Sequence, residues 1–254
     1  MSSDKLLPWA KPLLISSTLT QATIYVLRPM ITYRALELDA NAAQIGLIAS
    51  VYALFPVLLA LQFGKWVGRM GEAKFIIYGT LAMLVTSAGL MTADSILWLS
   101  IAAACAGTAH LACMVGGQSM VALRAPRESY DRYFGFYTFS ASVGHMLGPI
   151  VAAVVAGSNG NLPKSTSNAF LLGVVLTIFA LFPVIKWRNE RPTVVAEQSS
   201  VGTYRTAFNL VRRPGILAAI YISLAISSAA DVLVVFLPLF GTENNFSPYA
   251  VGAI

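Results

Sequence analysis

Seven long stretches of consecutive, mostly apolar residues divide this 254-residue sequence. A helix needs roughly 20 such residues to cross the hydrocarbon core of a bilayer, so each stretch predicts a membrane-spanning helix. The runs cover residues 12–33, 43–63, 75–93, 96–122, 134–157, 169–187 and 215–240, and an eighth begins near Tyr249. Because none of them alternates polar and apolar residues over a strand length, we expect an all-α membrane protein.

The composition excludes a soluble protein. Hydrophobic residues make up 57% of the chain and charged residues 11%, whereas soluble domains carry roughly 25% charged residues. The net charge of +6 is explained by basic loops, so we predict no nucleic-acid partner. Cys105 and Cys113 lie within an apolar run without metal-ligand spacing, which predicts two reduced, buried thiols and neither a metal nor a cofactor. The first residues lack the pattern of a removable signal peptide.

Basic residues are distributed unequally between the two predicted sides of the membrane. Of the 17 Lys and Arg residues, 14 fall on the side of the N-terminus. Arg34 and Lys164 fall on the other side, and Arg28 lies inside a run. Positive residues accumulate in cytoplasmic loops, so we expect the N-terminus to be cytoplasmic.

A polar, charged segment at residues 188–213 separates two parts of the chain, and a short amphipathic helix is expected near Tyr204–Leu210. The pattern then restarts: Pro8 matches Pro214, and residues 45–48 (Ile-Gly-Leu-Ile) match residues 251–254 (Val-Gly-Ala-Ile), both at an offset of 206. We therefore predict a six-helix N-terminal bundle at 1–187, a cytoplasmic linker at 188–213, and the start of a second bundle at 214–254. The repeat implies that the sequence stops after the start of its eighth helix.

Two charged residues lie inside the predicted membrane helices, where charge is costly and usually functional. Arg28 lies in the first run and Asp231 in the seventh. At the repeat offset Asp231 corresponds to Tyr25, and Arg28 is three residues, about 4.5 Å, further along the helix. We hypothesise that Arg28 and Asp231 face each other across a pathway, either binding substrate or a proton or acting as a structural pair between the two halves.

Polar residues near these charges extend the candidate pathway. In the first run they recur at steps of three and four, which places them on one helix face. They are Thr18, Gln21, Tyr25, Arg28 and Thr32, and Tyr221, Ser228 and Asp231 form a shorter stripe in the seventh run. His110 and His145 lie in the fourth and fifth runs and suit either a proton relay or hydrogen-bonded packing.

The stretch from Gly64 to Lys74 is interpreted as a basic loop between the second and third helices. Its motif residues are Gly64, Lys65, Arg69, Gly71 and Lys74. This pattern resembles the signature loop of the major facilitator superfamily of transporters, except that Gly68 stands where the family usually has an aspartate. In that family the acid helps to latch the two halves together, so this resemblance implies an altered latch.

The fifth run carries a ridge of small residues at every fourth position, from Ser140 to Ala156, which allows close helix packing. Within it, Gly144, His145, Gly148 and Pro149 resemble the helix 5 signature of the family's antiporter branch. Pro149 has no N–H and favours a kink. The ridge is interpreted either as tight packing alone or as the face that meets the other half during transport.

The resemblance implies a secondary active transporter, with proton-coupled export of small amphipathic molecules by alternating access. It also implies a protein of the bacterial inner (plasma) membrane that is a monomer when full length, and whose partners are a small-molecule substrate, protons and lipid. An uptake symporter for a sugar or an organic acid is the nearest alternative. A non-transporting scaffold and a membrane-embedded enzyme are further alternatives, and the enzyme is disfavoured because no nucleophile–base, metal or phosphate motif is present.

Overall fold

The computed structural model describes residues 6–190, 211, 212 and 214–253, which form eight α-helices. These are α1 (Ala10–Glu37), α2 (Ala42–Met70), α3 (Glu72–Met91), α4 (Ile96–Arg124), α5 (Tyr130–Ala156), α6 (Thr166–Val184), α7 (Ile216–Glu243) and α8 (Pro248–Ala253). Short 3-10 helices, Arg127–Ser129 and Ile185–Asn189, precede α5 and follow α6. The fold is all-α, as predicted, whereas most of the predicted linker and the Tyr204–Leu210 helix lie outside the described residues.

Six helices, α2 to α7, are long and apolar enough to cross a membrane. α1 has 28 residues, which is also sufficient length at a rise of about 1.5 Å per residue. Polar residues such as Thr20, Gln21 and Thr23 lower its hydropathy, so its crossing stays a prediction. Each predicted apolar run coincides with one helix, although the runs at 75–93, 134–157, 169–187 and 215–240 extend one to three residues beyond the α-helix, and α8 begins one residue before Tyr249.

α1 occupies the centre of the bundle. It packs along α5 and α6 and also contacts α4 and α7. Leu27, Met30 and Tyr33 on this helix are all at most 2% exposed. A helix that is buried around most of its circumference needs few charges and many small or apolar side chains, which α1 has. α3 packs against α4 and α6, while α2 packs mainly on α4.

The turn between α2 and α3 is much shorter than the sequence suggested. α2 continues to Met70 and α3 begins at Glu72, so Gly71 alone joins them, with φ of +89°. The predicted loop from Gly64 to Lys74 is therefore wrong: Gly64 and Gly68 lie within α2, because only Gly71 adopts the left-handed backbone that favours glycine. Lys65 and Arg69 lie in the last turns of α2, where basic residues complement the helix dipole.

A partly buried ionic cluster joins three helix ends on the side predicted to be cytoplasmic. Arg124 Nε donates to Glu72 Oε1 at 2.8 Å, and Arg124 Nη2 donates to Glu190 Oε2 at 2.6 Å. Glu72 is 1% exposed, so its carboxylate needs this partner. The cluster fixes the ends of α3, α4 and α6 relative to one another.

The two cysteines differ in their surroundings. Cys113 is buried, as predicted, and lies near the Thr80 hydroxyl at 3.9 Å. Cys105 is exposed, which contradicts the prediction of two buried thiols. The apolar run around Cys105 is a helix with two faces, and this residue lies on the accessible one, in an open groove lined by α2, α3 and α4.

Candidate functional site

A charge pair joins α1 to α7. Arg28 Nη1 donates to Asp231 Oδ1 at 2.6 Å, which is the contact hypothesised from the repeat offset. The Arg28 side chain is 9% exposed and that of Asp231 is 54% exposed. The guanidinium also lies over the Tyr52 ring, 5.0 Å from its centroid, a cation–π arrangement. A buried arginine is tolerated here because the carboxylate and the ring compensate its charge.

A second hydrogen bond joins α1 to α7 beside the charge pair, and the two contacts together form a polar seam between these helices. Thr32 Oγ1 donates to the Val235 carbonyl oxygen at 3.0 Å. Both contacts join residues 203 positions apart, close to the repeat offset of 206. Because the two separations are equal, α1 and α7 run parallel where they meet, with a shift of three residues from the repeat offset.

Gln21 lies between the two histidines. His110 Nε2 and His145 Nε2 lie 3.0 and 3.1 Å from Gln21 Oε1. An amide oxygen only accepts hydrogen bonds, so both Nε2 atoms act as donors. His110 Nδ1 is then an acceptor, and the Tyr52 hydroxyl donates to it at 3.2 Å. One polar chain thus runs from α2 through α4 and α1 to α5.

The remaining polar residues of the α1 stripe also contact neighbouring helices. Tyr25 stacks on His145 with ring centroids 4.1 Å apart and an interplanar angle of 23°. Thr18 Oγ1 donates to the Ser140 carbonyl oxygen at 3.0 Å. The stripe from Thr18 to Thr32 therefore faces the interior of the bundle, as its periodicity predicted.

Only Asp231 of the predicted α7 stripe contacts the polar residues of α1. Ser228 is exposed, and Tyr221 is 72% exposed. Residues 216–233 of α7 are exposed while the segment from Val234 to Leu239 packs against the bundle. The two helices meet near Asp231 and diverge toward their N-terminal ends, which leaves Ser228 outside the polar network.

Two members of this network were not predicted from the sequence. Tyr52 contacts both Arg28 and His110, and Met114 Sδ lies 2.8 Å from Gln21 Nε2. Tyr52 lies in the middle of a long apolar run, where a tyrosine is unremarkable. The available signal was its hydroxyl, since a buried tyrosine usually bonds a partner.

The small-residue ridge of α5 packs against α1. A Cβ built on Gly144 would lie 2.5 Å from the Thr18 carbonyl oxygen, and one on Gly148 would lie 2.7 Å from Tyr25 Cβ. The expectation that this face meets the other half is therefore wrong for both glycines, because α1 already fills the space. A different part of α5 reaches α8, since a Cβ on Gly252 would lie 2.8 Å from the Pro149 carbonyl oxygen.

These features define a multi-pass helical membrane protein with a polar seam between its first and seventh helices, a construction typical of solute transporters. The chain belongs to the Major Facilitator Superfamily, whose family model matches residues 13–254. Membership in this family of transporters also excludes the membrane-embedded enzyme.

The chain is similar to several proteins named for drug resistance or efflux. It is 22% identical over 179 residues to multidrug resistance protein 1 of Bacillus subtilis, covering 70% of this chain and 44% of that protein. It is 24% identical over 189 residues to multidrug resistance protein MdtG of Citrobacter koseri, covering 73% and 46%. Efflux pump azaK of Aspergillus niger is 21% identical over 220 residues, with coverage of 81% and 46%. The chain thus spans about half the length of the curated relatives it matches.

Solved structures share the fold. A bacterial homologue of the human lysosomal transporter Spinster, inward-facing and unoccupied, matches with a TM-score of 0.73 and 16% identity, covering 98% of this chain and 59% of that one. The peptide transporter POT in complex with sulfate matches with a TM-score of 0.63 and 15% identity, covering 94% and 50%. At these identities the likeness establishes the fold alone.

Proposed function

We propose that this protein is a secondary active transporter that exports small amphipathic molecules in exchange for protons by alternating access. The observation that carries the proposal is the Arg28–Asp231 contact, in which opposite charges of α1 and α7 lie 2.6 Å apart within helices that we expect to span the membrane. The relatives named for multidrug resistance or efflux support export. We place the protein in the plasma membrane with a cytoplasmic N-terminus, because of its basic-residue distribution.

Alternating access requires two bodies that move relative to each other. We assign the first body to residues 1–187, the linker to 188–213, and the start of the second body to 214–254. α7 meets α1 at Arg28 and Thr32 and diverges from it toward the N-terminal ends of both helices. The seam is therefore the contact that transport would open and close.

Proton coupling is assigned to the titratable groups along the seam and the α1 stripe. The proposed pathway comprises Gln21, Tyr25, Arg28, His110 and Asp231, and it omits Ser228, which lies outside the polar network. Protonation of Asp231 removes the charge that attracts Arg28, which weakens the contact between α1 and α7. The histidines bonded to Gln21 provide further titratable groups on the same polar chain.

The experiment uses the product of the intact gene in acid-loaded proteoliposomes containing a trapped pH dye. Ethidium, rhodamine 6G and chloramphenicol serve as probes, and at least one is expected to dissipate the proton gradient. Asp231→Asn removes the titratable group and should reduce this proton flux to the level of protein-free vesicles. Glu243→Gln, which changes an exposed carboxylate at the end of the same helix, should retain the flux. A normal flux from Asp231→Asn would remove Asp231 from the coupling mechanism.

An uptake symporter for a sugar or an organic acid is the second candidate. Arg28 favours it, because a guanidinium binds a carboxylate in bidentate fashion. The two functions differ in the direction of proton movement. Symport alkalinises the outside medium when substrate is added, whereas antiport dissipates an inwardly acid gradient.

A further inference from the structure

A cavity of about 260 Å³ lies between α1, α5, α7 and α8, away from the small space beside Arg28. Its α1 wall is formed by Tyr25, Pro29 and Tyr33, with Met30 beside them. Residues four apart share a helix face, and eight residues span about 12 Å. The cavity is therefore an elongated space that follows two turns of α1.

The Tyr33 hydroxyl is a buried polar group without a hydrogen-bond partner among the residues that the structure describes. Tyr33 is 1% exposed and lines the cavity. Buried hydroxyls are nearly always hydrogen-bonded, so one without a partner requires an explanation. The hydroxyl oxygen has less than 1 Å² of accessible surface in this conformation, so a ligand that accepts its hydrogen bond supplies the missing partner once the Tyr33 side chain turns toward the cavity.

The opposite end of the cavity is aromatic. His145 and Tyr25 line it and stack on each other. Since His145 Nε2 donates to Gln21, its Nδ1 is an acceptor in the neutral ring. The wall between the two ends is formed by apolar side chains that include Met146 and Ile150. Sulfur and ring edges make favourable contacts with aromatic ligands.

The described lining residues include no Asp, Glu, Lys or Arg. A charged molecule would lose its hydration here without gaining a counter-ion, which is costly. An uncharged aromatic molecule loses little and buries apolar surface. The chemistry of the wall therefore selects uncharged ligands.

We propose that this cavity binds an uncharged aromatic molecule carrying a hydrogen-bond acceptor, to which the Tyr33 hydroxyl donates. The inference rests on the proposed function in taking such molecules as the transported class. It assigns Tyr33 as a residue that selects for the acceptor, and the stacked pair of Tyr25 and His145 as the aromatic end of the site.

The test compares acridine with anthracene, two probes of the same shape that differ in one ring nitrogen. Binding to the purified chain in lipid nanodiscs is measured by fluorescence at mildly alkaline pH, where acridine is uncharged, and is corrected for empty nanodiscs. We expect the chain to prefer acridine by about three- to tenfold, as one neutral hydrogen bond gives. Tyr33→Phe should abolish the preference, and Tyr78→Phe, which changes a 56% exposed tyrosine of α3, should keep it.

A second pair of variants tests the cavity without relying on Tyr33. Ile150 lines the cavity and is 44% exposed, whereas Leu147 on the same helix is 43% exposed and is not part of the lining. Ile150→Trp should fill the space and weaken the binding of both probes. Leu147→Trp should weaken neither, because it adds the same bulk elsewhere.

An acridine preference that persists in Tyr33→Phe, or equal binding by the two tryptophan variants, would overturn the inference. Because binding is measured without a proton gradient, the outcome is separate from transport. Tyr33-dependent binding together with absent proton flux would refute the proposed function alone. Proton flux with Tyr33-independent binding would refute this inference alone.

Discussion

At the scale of single residues, the burial of Arg28 and the exposure of Asp231 make their pairing asymmetric. The guanidinium lies inside the bundle, while the carboxylate is more than half exposed. Removing one partner of a buried pair leaves the other uncompensated, and the cost depends on whether water reaches it. Removal of Asp231 and removal of Arg28 should therefore lower the free energy of unfolding by different amounts.

We predict that Asp231→Ala destabilises the chain by about 2–3 kcal/mol, because it leaves the buried Arg28 charge without its acceptor. Arg28→Met should cost about 1 kcal/mol or less, since the exposed carboxylate regains water and the Met side chain keeps the packing. The free energies of unfolding are measured by denaturant titration in detergent micelles.

The double variant Arg28→Met/Asp231→Ala serves as the control. It should be about as stable as Arg28→Met alone, since no unpaired charge remains. Additive losses in the double variant would contradict a direct interaction between these two side chains.

The sequence predicted Arg28 and Asp231 because a charge inside an apolar run is rare and costly. It also placed Gln21, Tyr25 and Arg28 on one helix face through their spacing. Tyr52 could not be predicted, because a tyrosine among apolar residues carries no information about the helix it will meet. Ser228 shares a stripe with Asp231, but the divergence of α7 from α1 depends on tertiary packing.

At the scale of helices, α1 and α5 approach each other through glycine. The carbonyl of Thr18 and the amide of Ala22 occupy the space beside Gly144. Backbone atoms cannot rotate away as a side chain can, so any added carbon must separate the helices. Gly135 on the same helix has no atom within 4 Å of a built Cβ, which makes it a matched control.

We predict that Gly144→Ala lowers the free energy of unfolding by roughly 2 kcal/mol, as overpacking of a tight contact does. Gly135→Ala should be neutral or should stabilise α5 by up to about 1 kcal/mol, through its higher helix propensity. Thermal unfolding of both variants in the same detergent provides the measurement. Equal melting temperatures for the two would contradict the close approach of α1 and α5.

Hydropathy predicted where the helices lie, because the bilayer imposes length and polarity on each of them. It could not predict the turn between α2 and α3, since glycines occur both in turns and inside membrane helices. Gly64 and Gly68 were assigned to a loop although they continue α2. The α5 ridge was recognised from its small residues, but a ridge does not identify its partner, which proved to be α1.

At the scale of the whole molecule, the proposed transport requires α7 to move relative to α1 about the seam at Arg28 and Asp231. The N-terminal ends of these parallel helices diverge, while their C-terminal halves pack together. Asn161 Nδ2 adds a further contact by donating to the Thr242 carbonyl oxygen at 2.9 Å. Alternating access predicts that this arrangement reverses, with one end closing as the other opens.

The most direct test measures two distances in the product of the intact gene by pulsed electron spin resonance in nanodiscs. Spin labels at Lys11 and Leu217 report the N-terminal ends of α1 and α7, and labels at Asn41 and Asn244 report the opposite ends; all four positions are exposed. Between neutral and acidic pH, we predict that the first distance shortens while the second lengthens, or the reverse. Distances that stay constant at both ends, or that change in the same sense, would contradict a seam that opens and closes during transport.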